Sequence, residues 1–455
     1  MIRVTNPATE EVIREIREDS NENIDAKMEL AASALLEWKN LSYQQRESLI
    51  QRFLTLLEQE REICSSQLTD ELGTPVTDAK KEISDALVFV RYFLQETPKI
   101  FSSVEVRTSE QEEITECTPL GLVVALTQWS FPYLSSLKVI IPALLTGNVV
   151  IYRPSHYASM VGQKITELLY KAGVPKDVFQ TIFGGSRSVE RILVHPIDSV
   201  FYSGRPEGAK RVVDRLAGRY QVRLQLEMGG KDSVYVCDDA DLASAAQRIA
   251  LGAFAHSGQS QSSVERVYVH RKVSDPFLKS FTNEALKLKV GDPKQKSTVI
   301  GPLVRPQQRY LLEELIEEAK ELGASVLTGG EVIEGKGICF PPTIVAGVTR
   351  NMRLMQEPIF GPLVGVLTVD NDDEAITRMG QTESGLTCGV FSQDRERALR
   401  ILRRVPSGTG YWNCCDQMSA SLPWSGWKAS GLGITLSGEG IRSFVKFRGL
   451  HLQPL

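Results

Sequence analysis

Apolar residues recur at three- and four-residue steps in three early stretches: IDAKMELAASALLEWKNL, RESLIQRFLTLLEQEREICSSQL and KKEISDALVFVRYFLQ. That period puts each apolar set on one helix face, so the first hundred residues are predicted to be mostly helical. The segment FSSVEVRTSEQEEITECTP then alternates and predicts an exposed hairpin. After it, short apolar runs (GLVVALT, GNVVIYR, DVFQTIF, DSVFYSG, YQVRLQLE) are separated by helical segments such as SMVGQKITELLYKAG. Such alternation predicts a doubly wound parallel α/β sheet. A second α/β series begins near DSVYVCDD and runs through VERVYVH, QRYLLEELIEEAKELGASVLTGG and PLVGVLTVD. The tail SFVKFRGLHLQPL predicts a final strand. No repeat, low-complexity run or long Pro/Gly linker interrupts the chain, so its domains are expected to pack closely together.

At 455 residues the chain suits two or three domains that need no staples. Hydrophobic residues make up 42% and charged residues 24%, an ordinary globular balance. The net charge of −4, from 52 basic and 56 acidic side chains, gives no sign of a nucleic-acid or anionic-membrane partner. The polar N-terminus has no apolar leader and no stretch reaches a membrane-spanning length, so a cytoplasmic protein is expected. Seven scattered cysteines without a C-x-x-C pair argue against a disulfide framework or a zinc site, and the five histidines show no metal-ligand spacing.

Three motifs could carry chemistry. Glu227 ends a strand just before Gly229-Gly230, which suits an acid exposed into a cleft and equally suits a solvated turn glutamate. Glu357 lies in a turn that Pro358 makes rigid. Gly184-Gly185-Ser186 follows a strand and could approach a phosphate, although it is not G-x-G-x-x-G.

Taken in order, the motifs resemble the aldehyde dehydrogenase superfamily over nearly the whole chain. The likeness begins at NPATEEVI and TPLGLVVALTQWSFPYLSSLKVIIPALLTGNVVIYRPS. It continues through LEMGGK, SGQSQSSVERVYVH, IGPLVRPQQ, MQEPIFGPLVGV, GLTCGVFSQD and YWNCCDQMSASLPWSGWKASGLG. The resemblance implies an α/β fold: a Rossmann-like cofactor domain, an α/β catalytic domain and a small β oligomerisation element. The dinucleotide-binding domain would be 1–100 and 119–228, the catalytic domain 229–437, and the oligomerisation strands 101–118 and 438–455. Strands that pair across a subunit boundary hide their open edge, which implies a homodimer or homotetramer.

In this family a cysteine thiolate attacks the aldehyde, hydride passes to nicotinamide, and a glutamate-activated water hydrolyses the thioester. The thiol belongs to G-Q-x-C, which here is Gly258-Gln259-Ser260-Gln261, so the nucleophile position holds an amide. Neighbouring Ser260 and Ser262 show no base in the sequence that would activate them. The oxyanion asparagine of W-N-[FY]-P is replaced in Trp129-Ser130-Phe131-Pro132 by Ser130, which is too short to reach the asparagine amide's place. Loss of such a donor costs about 100–1,000-fold in turnover. Glu227 matches the general base, Glu357 the glutamate that holds the nicotinamide ribose, and Phe360 the aromatic residue of the same loop. Trp129, Gly185, Ser203 and Gly204 are the further expected cofactor contacts. K-P-S-E reads Arg153-Pro154-Ser155-His156, which shifts preference towards NADP over NAD, and the reversed Ser203-Gly204 pair is expected to weaken binding.

Three readings stand at this stage. One is a catalytically impaired or inactive pseudoenzyme of the family, acting as a binding or subunit-assembly protein, with an aldehyde-like small molecule as its ligand. Another is an enzyme with a displaced thiol, Cys414 or Cys415, in the expected substrate funnel. The third is an NAD(P)-dependent oxidoreductase with residual activity.

Overall fold

The computed structural model describes residues 1–101, 104–107 and 112–453. Two large sheets dominate. The first orders its six strands as Gly431–Leu432, Arg223–Met228, Ser199–Gly204, Leu122–Leu126, Val149–Arg153 and Phe179–Thr181. All neighbours are parallel except Gly431–Leu432, which pairs antiparallel with Arg223–Met228. Every position of Leu122–Leu126 is buried, as a strand covered on both faces requires.

The chain enters this sheet at Leu122–Leu126 and builds outward through Val149–Arg153 and Phe179–Thr181. It then returns to the other flank with Ser199–Gly204. That reversal opens a crevice at the carboxyl ends of Leu122–Leu126 and Ser199–Gly204, where ligands of open α/β sheets bind. Trp129 and Ser130 leave the first end. Ser203 and Gly204 form the second, just before the helix Pro206–Leu216.

The second sheet orders seven strands as Ser325–Thr328, Thr343–Ala346, Leu363–Val369, Val264–His270, Asp232–Val236, Thr387–Phe391 and Thr409–Trp412. Only Ser325–Thr328 is antiparallel to its neighbour. Residues two apart on a strand share a face. Val234 and Val236 accordingly join a core with Phe254, Phe277 and Phe281, while Tyr235 joins Leu312, Leu315 and Met352 on the other side.

Helices Asn21–Asn40, Tyr43–Gln59, Arg61–Leu72 and Val76–Phe101 fall in the N-terminal region where the apolar period predicts them. Ahead of them, Ile2–Thr5 and Val12–Ile16 form an antiparallel pair too short to give a periodic signal. Its buried Ile2, Val4 and Ile16 pack on Met160 and Phe183. The tail strand Val445–Leu452 pairs with Glu112–Pro119, which pairs with Val104–Arg107. The turn of the hairpin expected over 101–118 lies outside the described residues. Among the described residues no helix is long and apolar enough to cross a membrane, and no group of three His, Cys, Asp or Glu could hold a metal ion.

Helices Pro132–Leu145 and Ser159–Lys171 have no side-chain cap of their own. Two buried glutamates supply the missing acceptors. Glu82 accepts the Tyr133 N–H at 2.8 Å, and Glu71 accepts those of Met160 and Val161 at 2.7 and 2.9 Å. A carboxylate there meets both the free N–H groups and the helix dipole. Burial still pushes each of these carboxyls up to about 8.

Candidate active site

Three successive residues, His256, Ser257 and Gly258, adopt left-handed backbone at φ 53°, 58° and 63° before Gln259. A Cβ on Gly258 would lie 2.2 Å from the Gly361 carbonyl oxygen, so only glycine lets this turn meet the loop after Phe360. Glu265 fixes that loop by accepting from the N–H groups of Ile359 and Phe360 at 2.9 and 3.0 Å, and it pairs with buried Lys231 at 2.8 Å. His256 is buried against the Phe131 ring, centroids 4.7 Å apart, and neither of its ring nitrogens has a hydrogen-bond partner among the described residues. Burial holds this imidazole down at about 4.

The turn delivers Gln261 to the meeting point of the two sheets. Its carbonyl accepts the Gly230 N–H at 3.0 Å, and its side-chain amide reaches Ser203 Oγ and the Glu227 carbonyl, each at 3.4 Å. Contacts of that length are weak, so the carboxamide is held loosely at the crevice mouth. Ser130 is fully buried, and its hydroxyl donates to the Gln259 carbonyl at 2.5 Å. The one donor this side chain has is therefore already used.

Glu227 is no solvated turn residue. It is 5% exposed, pairs with the buried Lys138 ammonium and accepts the Thr435 hydroxyl. Strand Gly431–Leu432, next to Arg223–Met228, brings Thr435 to it. Neither partner was singled out from sequence: Lys138 is the one charged residue of the helix Pro132–Leu145, and that lone charge was the available signal.

Ser260 and Ser262, for which the sequence shows no activating base, both direct their hydroxyls at one buried carboxyl group. Asp416 Oδ1 accepts from Ser260 Oγ at 3.0 Å and from Ser262 Oγ at 2.6 Å. Burial raises this carboxyl above its ordinary range, while the two serine hydroxyls that donate to it pull the other way. Asp416 sits at φ 48° in the loop that also carries Cys414 and Cys415. The Cys415 thiol is directed at the Arg248 carbonyl, 3.5 Å away, beside Gly252 of the helix Leu242–Phe254. Burial raises both thiols, Cys415 the more strongly. A nucleophilic thiol needs the opposite environment.

The expected cofactor residues divide. Trp129 stands edge-on to Phe360 and Tyr157, with centroids 5.4 and 6.3 Å away. A Cβ on Gly185 would meet nothing within 4 Å, so this turn is open to a close approach. Arg153, expected to lean the cofactor preference towards NADP, donates from Nε and Nη2 to the Gly184 carbonyl at 3.1 and 2.7 Å. His156 lies against Tyr157 with ring centroids 4.0 Å apart and planes tilted by 39°, and desolvation, then Arg153, lowers its pKa. Glu357, expected to hold a ribose, is clasped by Arg353 at 2.8 and 3.1 Å, and that guanidinium keeps its carboxyl low.

The chain and its fold have close counterparts. The chain is 32% identical to a betaine aldehyde dehydrogenase of Rhizobium etli, over 98% of its own length and 92% of the relative's. It is 29% identical to a succinate-semialdehyde dehydrogenase [NADP(+)] of Mycobacterium ulcerans, over 98% of each chain. A crystal structure of betaine aldehyde dehydrogenase from Staphylococcus aureus in complex with NAD+ superposes with a TM-score of 0.95 at 26% identity, covering 99% of this chain and 91% of that one. The model of the aldehyde dehydrogenase family matches residues 1–449, and the chain belongs to that family.

Proposed function

We propose that this protein keeps the family's small-molecule and dinucleotide scaffold without its covalent chemistry, and acts as a binding or assembly protein. The observation that carries the reading is the donor set around Gln261. An amide stands at the nucleophile position, and the serine at the oxyanion position has spent its hydroxyl on the Gln259 carbonyl. The ion pair of Glu227 with Lys138 adds support, because its two carboxylate oxygens already meet an ammonium and a hydroxyl of the protein. Raised thiols at Cys414 and Cys415 weigh against displaced-thiol chemistry.

Relatives bound to NAD+, and others named for NADP, make NADP or NAD the ligand to consider. The cleft fits the two ends of a dinucleotide unequally. The open turn at Gly185 and the Trp129, Tyr157 and Phe360 rings suit an adenosine end and a flat ring. With Glu357 tied to Arg353 and Arg153 tied to Gly184, weak binding is the expectation. We assign 1–100 and 119–228 to this dinucleotide domain, 229–437 to the catalytic-type domain and 101–118 with 438–455 to subunit pairing. The strand Val445–Leu452, with its exposed Phe447, offers an edge through which copies would associate.

The test is a steady-state assay of the purified protein with a panel of aldehydes and both cofactors, alongside cofactor titration by intrinsic fluorescence. Binding without turnover is expected. Turnover near the usual enzyme median, on the order of 10 per second, would overturn the reading.

A further inference from the structure

Tyr202 lies on the strand Ser199–Gly204, two residues before Gly204 and hence on the same face of the sheet. Its ring extends over the start of the helix Pro206–Leu216. A Cβ on Gly204 would lie 2.5 Å from the phenol oxygen, and one on Gly208 only 2.0 Å from it. The two glycines thus form a notch at the helix N-terminus, and the phenol fills it. Its hydroxyl donates to the Arg205 carbonyl at 2.9 Å. Arg205 caps the helix without a side-chain bond to its first N–H groups, and Pro206 has no N–H to offer.

This notch borders the topological switch point of the six-stranded sheet, the place where a dinucleotide's diphosphate meets a helix N-terminus. Building on the dinucleotide reading above, we infer that Tyr202 is a plug. Its side chain occupies the diphosphate position, and a dinucleotide enters only when the phenol leaves the notch. The consequence is selective. A ligand that needs the diphosphate position competes with Tyr202, whereas an adenosine monophosphate, which lacks the diphosphate bridge, does not.

The two ligands separate the possibilities. Wild type, Tyr202→Thr and Tyr202→Phe are titrated calorimetrically with NADP and with adenosine 2′-monophosphate, after circular dichroism has shown that each variant is folded. Tyr202→Thr should bind NADP at least ~10-fold more tightly than wild type, with adenosine 2′-monophosphate affinity unchanged. Tyr202→Phe keeps the ring and loses one hydrogen bond to Arg205, so a smaller gain of about 5-fold is expected. Equal NADP affinity in wild type and Tyr202→Thr, with the monophosphate still bound, would overturn the plug alone. A parallel rise for both ligands would also overturn it, because the effect would not be selective for the diphosphate. If no protein bound either ligand, the dinucleotide reading itself would fall, and the plug with it.

Discussion

Replacing Lys138 with methionine isolates the ion pair that holds Glu227. The two side chains are 3% and 6% exposed, so water supplies almost none of the solvation their charges lose on folding. Removing the ammonium leaves a buried carboxylate with the Thr435 hydroxyl as its one remaining side-chain donor among the described residues. Breaking a buried pair from one side costs about 3–5 kcal/mol. Methionine approximates the volume of the lysine stem and preserves its contacts, so little of the loss should come from a cavity. The double variant Lys138→Met with Glu227→Gln removes both charges and retains an acceptor for Thr435. It should regain most of the loss, because a neutral amide carries a far smaller desolvation penalty. Urea unfolding of wild type, both single variants and the double variant closes a cycle. A Lys138→Met cost below about 1 kcal/mol, or a coupling energy near zero, would refute the claim that Glu227 is held as a buried, charge-paired structural acid.

The other predictions use different handles. The carboxyls of Glu71 and Glu82, at about 8 in the folded protein, bind protons more tightly there than in the unfolded chain. Their stabilising contribution is therefore complete below the ordinary glutamate range and is lost as pH rises towards 8. The thermal midpoint should fall between pH 5 and 9, and Glu82→Gln should flatten the fall; an unchanged slope would contradict the assignment. Gln261→Cys with Ser130→Asn should produce aldehyde-dependent reduction of NADP, read at 340 nm, while Gln261→Cys alone should give ~100-fold less or lower still. If the double variant binds cofactor and stays inactive, the cleft has diverged beyond those two positions. Iodoacetamide should spare Cys415 in the native protein, because its thiol is buried and raised; rapid modification found by peptide mass mapping would show that the funnel loop opens.

Fold and site were legible in the sequence to different depths, for physical reasons. Periodicity revealed the helices Tyr43–Gln59 and Val76–Phe101 because each commits one broad face to a core. The strand Leu122–Leu126 was visible as an unbroken apolar run, which burial on both faces demands. The pair Ile2–Thr5 and Val12–Ile16 was not, since it buries three residues and leaves Val12 and Ile13 exposed. At the site, identity could be read but occupancy could not. Sequence shows that residue 261 is glutamine and residue 130 is serine. It does not show that the Ser130 hydroxyl is already given to Gln259, nor that Lys138, 89 positions away, reaches Glu227.

That difference changes how the two replacements should be weighed. On the function proposed above, an isolated Gln261 would leave a site with its oxyanion donor and base ready, one substitution away from chemistry. In this chain the surrounding groups have found other partners: Ser130 with Gln259, Glu227 with Lys138 and Thr435, Ser260 and Ser262 with Asp416, Arg153 with Gly184, and Glu357 with Arg353. The buried bonds among these would have to be broken or rearranged before the polar group could act on a substrate, and a satisfied buried polar group resists leaving its partner. The Arg353–Glu357 pair, 42% and 44% exposed, resists least. A thiol restored at position 261 therefore enters a site organised around other contacts. For that reason partial recovery is the outcome expected of the double variant, and the ion pair of Glu227 is the contact most expected to limit it.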